Sequence, residues 1–158
     1  MATIDRDLGW RRIKQEIKKS KDLEVAVGIL EGDENGEGLS IAEYATYNEF
    51  GTGNVPSRPF MATAFDENVA KIDNDFKREA DKMLRGQHTA LDALTIIGQK
   101  HVSRIQNTIT DRDFLPKLSE QTIRAKKGST KTLVDTGAMV NAVQISVRGR
   151  GEGDDDEF

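Results

Sequence analysis

The chain has no cysteine. Disulfides and thiolate metal centres are therefore excluded, and a reducing compartment fits. No apolar run approaches the ~20 residues that a membrane helix needs, so no membrane partner is expected. The N-terminal stretch MATIDRDLGWRRIKQEIKK lacks the apolar core of a signal peptide. An excess of one charge sign is also small, with 23 Lys and Arg against 27 Asp and Glu, a net of −4. Five of the acids (Glu152, Asp154, Asp155, Asp156 and Glu157) fall in residues 149–158 beside one base, Arg150. Removing those five acids and one Arg from the totals leaves 22 of each sign in residues 1–148. The body is balanced and carries no global basic footprint for nucleic acid. The last ten residues, GRGEGDDDEF, have almost nothing to bury and are expected to form a disordered acidic tail.

What is present suits a modest core. The 158 residues are 36% hydrophobic and 32% charged, which fits one domain over residues 1–148. Residues 5–21 predict a short helix with Trp10, Ile13 and Ile17 on one face. In LEVAVGIL, Leu23, Val25, Val27 and Ile29 alternate with smaller or polar residues, the pattern of a half-buried strand. A turn or mobile loop follows at 31–38. Ser40 then precedes a helix through IAEYATYNEF that Gly51 ends. Met61, Phe65, Val69, Ile72, Phe76, Ala80 and Met83 step by three or four, which predicts one long helix starting beside Pro59. Arg85–Gly86–Gln87 reads as a break. A second long helix runs to about Thr110, with Leu91, Leu94, Gly98, Val102, Ile105 and Ile109 on one face, so the two rods are expected to lie antiparallel. A short helix at 119–126 and a closing strand with Val143, Ile145 and Val147 complete the pattern. The expected fold class is α+β: a small, mainly antiparallel sheet packed against two long antiparallel helices plus short ones.

Candidate chemistry is thin. Leu133 to Ala138, LVDTGA, has the Asp-Thr-Gly of an aspartic protease. That chemistry needs two carboxylates sharing a proton and most of a β-rich lobe after the Asp, which this sequence does not offer. Asp135 or Thr136 is instead expected to be an N-cap for a turn beginning near Gly137. Asp33, Asn35, Glu37 and Gly38 match the start of a calcium loop, but the bidentate twelfth position is Tyr44, with Glu43 one place short. His88 and Asp92, four apart, make no closed metal site, and His101 reads as a packed or surface histidine. There is no Gly-x-Ser-x-Gly and no phosphate loop. No enzymatic activity, metal or cofactor is expected. The basic residues Lys117, Arg124, Lys126, Lys127 and Lys131 lack interleaved aromatics, so base stacking is not indicated. A nucleic-acid-binding accessory role through residues 117–131 stands as an alternative from a different functional class.

Two blocks in order resemble a known family. In IAEYATYNEFGTGNVPSRPFMATAF, Ala45, Glu49, Phe50, Gly51 and Thr52 precede Pro56, Arg58, Pro59 and Phe60. In FLPKLSEQTIRAKKGSTKTLVDTGAMVNAVQISV, Pro116, Leu118, Thr122, Lys126 and Lys127 precede Leu133, Asp135, Thr136, Gly137 and Met139. Both are similar to stretches of the tail-completion and virion-morphogenesis proteins of tailed double-stranded DNA phages, over residues 23–148. The resemblance implies a non-enzymatic neck protein, a homo-oligomeric ring between head connector and tail tube, assembled in the host cytoplasm and carried in the virion. A tail terminator or minor tail subunit is the variant reading, and non-specific contact with passing DNA fits either place. The interface residues expected are Phe50, Gly51, Arg58, Pro59, Phe60, Lys126 and Lys127. Arg and aromatics on a Pro- and Gly-rich loop suit interface anchors. The polar loops 31–38 and 111–132 suit contacts that order on ring closure.

Overall fold

The structure is a computed structural model that describes residues 9–29, 40–126 and 130–149. Its elements, in chain order, are α1 (Trp10–Lys21), β1 (Leu23–Ile29), α2 (Ile41–Phe50), α3 (Phe60–Asp66), α4 (Val69–Leu84), α5 (Ala90–Asp111), α6 (Glu120–Ala125), α7 (Ala138–Asn141) and β2 (Val143–Gly149). β1 and β2 pair as a two-stranded antiparallel sheet, so the class is α+β. Among the described residues, no helix is long and apolar enough to cross a membrane. The sequence pattern treats 1–148 as one body. The chain groups into two compact units, each assembled from separated stretches. The calcium-loop candidates and the acidic residues 152–157 lie outside the described residues.

Unit 2 comprises Val27–Val69 and Gln99–Ile145. Phe60, Ile105 and Ile109 are at most 1% exposed, and Ile41, Ala45, Phe114, Leu133, Met139 and Val143 join them in one core. Ile105 and Ile109 are four apart and so share a helix face. Val27 and Ile29 of β1 pack on the same cluster. Burying side chains of this size stabilises by roughly 1.5–3 kcal/mol each.

The helix expected to run unbroken from residue 61 to 83 is interrupted at Glu67 and Asn68. Asn68 Nδ2 donates to the Ala64 carbonyl at 2.9 Å, and the Asn68 backbone N–H turns to Phe65 at 3.0 Å. The side chain has taken the acceptor that a continuing helix would give to the backbone. The expected apolar face is also not the buried one. In unit 2, Phe65 and Val69 are exposed, while Phe60 and Ala64 turn inward.

Unit 1 comprises Met1–Ala26, Ala70–Gly98 and Ser146–Phe158. Its buried apolar residues are Met83, Ala90, Ala93 and Ile97, and it also buries Glu16, Asp75 and Glu79. The faces expected for α1, α4 and the start of α5 are corrected here. Trp10, Ile17, Phe76 and Leu91 are exposed. Glu16 is buried because its carboxylate accepts from the Ala90 N–H, 2.9 Å away, at the otherwise unpaired start of α5. That bond, then Lys19, holds its carboxyl below the ordinary value. Glu79 lies within 3.2 Å of Lys82, Arg78 and His88. α4 ends in a Schellman motif, with Gln87 N–H on Lys82 O and Gly86 N–H on Met83 O. The left-handed φ of 78° at Gly86 makes that turn accessible. His88 and Asp92 do not share a helix face, because α5 begins after His88. Asp92 instead forms a capping box with Thr89: Thr89 N–H donates to Asp92 at 3.0 Å and Asp92 N–H to Thr89 Oγ1 at 3.1 Å.

A candidate docking cavity in unit 2

The first of the two sequence blocks builds a pinned loop between α2 and α3. Glu49, 9% exposed, accepts from the N–H groups of Met61 and Ala62, both at 2.9 Å. Its carboxylate satisfies two orphan donors of α3 and sits at the positive end of that helix. Ser57 Oγ donates to the Glu49 carbonyl at 2.8 Å, and Arg58 N–H to the Asn48 carbonyl at 2.6 Å. Thr52 Oγ1 accepts from Val55 N–H at 3.1 Å, and Thr52 N–H reaches back to Val55 O at 2.8 Å. Gly51 has φ of 78°, and a Cβ there would meet Ser57 N at 2.9 Å, so neither the angle nor the space admits a side chain.

This pinning places Arg58. Its side chain is neither exposed nor engaged in a carbonyl cap. It is 8% exposed, and its Nε is buried with no hydrogen-bond partner among the described residues. The second block supplies the facing wall. Ser119 caps α6, its Oγ accepting from Thr122 N–H at 3.2 Å. Past the end of α6, Lys126 Nζ donates to the carbonyls of Lys131 at 3.0 Å and Thr132 at 3.3 Å. Desolvation pushes the Lys126 ammonium below its ordinary pKa; Asp135 opposes the shift and the Arg58 charge adds to it. Between the two blocks lies a cavity of about 400 Å³, whose walls include Tyr44, Tyr47, Pro56, Arg58, Pro116 and Lys126. Its lining contains no carboxylate and no imidazole. Among the described residues it is thus lined by three cations, Arg58, Lys117 and Lys126.

Of the residues expected at an interface, Arg58 and Lys126 meet at this cavity. Phe50 is 78% exposed and Pro59 is exposed, and neither lines it. Phe60 is corrected: at 0% exposure it is a core residue and presents nothing to a neighbour. Lys127 lies outside the described residues. The LVDTGA hexamer is a turn. Leu133 is core, Asp135 is exposed, Gly137 occupies the cap position of α7, and Thr136 Oγ1 accepts from Ala138 N–H at 3.3 Å. The expected N-cap at Asp135 or Thr136 is thereby corrected: Gly137 is the cap residue and no side chain caps α7 from that position. His101 is half-buried, edge-on to Phe65, and burial then Arg104 lower its pKa. Among the described residues, no group of three or more possible metal ligands occurs.

Sequence reasoning missed the roles of Glu49, Asn48 and the two tyrosines. Glu49 bonds across twelve residues, a reach that no local pattern reports. No family model, curated protein or solved structure matches the chain.

Proposed function

We propose that this chain is a structural virion protein of a phage neck, a tail-completion or head–tail joining component that assembles as a ring between head connector and tail tube. It acts through shape and interface complementarity. One observation carries the reading: the two blocks that bear the family resemblance, far apart in sequence, fold into one unit and form facing walls of one cavity. The side chains that these blocks carry are accounted for by positioning. Glu49 anchors α3, Gly51 makes the turn, Phe60 fills the core, and Arg58 and Lys126 are left facing the cavity. The tail-terminator or minor-tail variant uses the same geometry with a different neighbour.

The nucleic-acid reading finds less support. Within residues 117–131, Arg124 pairs with Glu120 at 3.7 Å, Lys131 lies 3.8 Å from Asp113, and Lys126 bonds backbone carbonyls. These cations are not arrayed as a phosphate track. The test is to delete the coding sequence from its phage and image the particles by electron microscopy. Filled heads and tails that remain unjoined, or tails left unfinished, are expected. Normal virions in undiminished yield would contradict the proposal.

A further inference from the structure

We propose that the cavity in unit 2 is a docking site for a carboxylate side chain, a Glu flanked by apolar residues, presented by a separate polypeptide. The existence of such a partner rests on the assembly reading above, while the contact itself is testable on the isolated chain, so either can fail without the other.

The three cations lead there. Arg58 lines the cavity at 8% exposure, and its buried Nε has no hydrogen-bond partner among the described residues. Buried donors in folded proteins are normally satisfied, so this guanidinium calls for a group from outside the chain. That group is an acceptor, because Arg donates at every nitrogen. Lys126 gives two of its three ammonium donors to the carbonyls of Lys131 and Thr132, which leaves one. The Arg58 charge is close enough to help lower the Lys126 pKa, so the two cations repel each other. Lys117, exposed, adds a third positive charge to the lining. The acids that act nearby lie outside it: Asp135, exposed, opposes the shift at Lys126, and Glu43 accepts from the Tyr47 hydroxyl. An anion in the cavity relieves the repulsion and forms charge-assisted hydrogen bonds.

Size and wall chemistry select the anion and its carrier. About 400 Å³ admits a side chain or two and excludes a nucleic-acid duplex. Val55, Pro56, Pro116 and Leu118 give apolar walls beside the cations. Inorganic phosphate would leave those walls wet, whereas a carboxylate with apolar neighbours covers them. The planar guanidinium also matches a carboxylate in geometry. Arg58 is buried, so reach matters, and Glu extends one methylene further than Asp. Tyr47, Pro56 and Lys117 of the lining are exposed, and Leu115, beside Pro116 in the chain, is 73% exposed. A ligand that seats its tip on Arg58 and continues over these residues is a polypeptide rather than a free acid. Tyr and Arg are also the residue types that dominate protein–protein contacts.

The test uses the full chain and an array of end-blocked pentapeptides, each with a central Glu between a different pair of neighbours, beside a matched array with a central Gln. The strongest binders are titrated in solution by fluorescence polarisation. Saturable binding is expected of Glu peptides with apolar or aromatic neighbours, weaker by about tenfold or more in Arg58→Gln and with the Gln counterpart. Arg85→Gln, an exposed change in unit 1, should leave binding unchanged. If Arg58→Gln fails to fold by circular dichroism, Lys117→Glu, an exposed charge reversal in the same lining, carries the test and should weaken binding about threefold or more. Absence of binding by every Glu peptide up to about 1 mM would overturn the docking site. Equal binding by the Gln peptides, or by a folded Arg58→Gln, would overturn it too. Inorganic phosphate that displaces the peptides at lower concentration than acetate would overturn the carboxylate assignment. Free propionate that binds as tightly as the best peptide would overturn the polypeptide carrier.

Discussion

Unit 2 is centred on Phe60, Ile105 and Ile109, each at most 1% exposed. Among the described residues, unit 1 buries Met83 and small or aliphatic residues of α5 together with Glu16, Asp75 and Glu79, while Trp10, Phe76 and Leu91 stay outside. Buried apolar area stabilises without regard to pH or partner geometry. A buried carboxylate stabilises only while its donors remain in place, and a lost partner leaves a charge stranded. The contrast assigns the units different sensitivities. Unit 2 rests on an apolar core beside its cavity, and unit 1 adds a network of charges.

The largest effect should come from the apolar side. Phe60→Ala removes a fully buried ring and should cost about 3–5 kcal/mol. Hydrogen exchange should show the loss throughout α2 and α3, with α4 less affected. Protection falling equally in both units would erase the distinction. Next comes Glu79→Ala, at about 2–3 kcal/mol. This is below the figure for a wholly buried pair, because Arg78 and Lys82 remain partly exposed. Glu79→Leu should recover much of that cost in urea denaturation. A Leu variant as unstable as the Ala one would show that the charge network is irreplaceable.

Glu49→Ala tests the one carboxylate on which the cavity loop depends. Losing two charge-assisted bonds to Met61 and Ala62 should cost about 1–2 kcal/mol and speed exchange of those two amides first.

Acidification separates the units by order. The native pKa of His101 lies below its ordinary 6.5, so the unfolded chain binds the proton first. Its contribution is whole above pH 6.5 and is lost as pH falls from there through the depressed native value. Glu16, held below its ordinary 4.5, contributes fully above that value and loses it as pH falls through its native pKa. Melting temperature against pH should therefore bend twice on the way down. His101→Gln should flatten the upper bend and Glu16→Gln the lower. The smallest effect is expected of Asp135→Asn, an exposed change within about 0.5 kcal/mol.

Much of the scaffold is legible in the sequence. Alternation of Leu23, Val25, Val27 and Ile29 marks β1, Ser40 and Gly51 bracket α2, and Ser119 heads α6. These signals are local, carried by neighbours within a turn or a strand. The misreadings involve partners at a distance. Periodicity locates an apolar stripe but not the element that covers it, so Phe65 and Phe76 looked like core. Glu16 looked like surface, because the N–H that draws it inward is 74 residues away. The break at Asn68 turns on a single side-chain bond that competes with the backbone. Of the cavity, the loop chemistry around Arg58 was visible, but its meeting with Lys126 needed the fold.

The proposed function requires that this chain be built into a particle. Its most direct test is the copy number of this chain in purified tailed virions, counted by isotope-standard mass spectrometry after a high-salt wash. Several copies per particle, retained through the wash, are expected of a ring component. A chain absent from washed virions and recovered wholly from the soluble lysate would contradict the account.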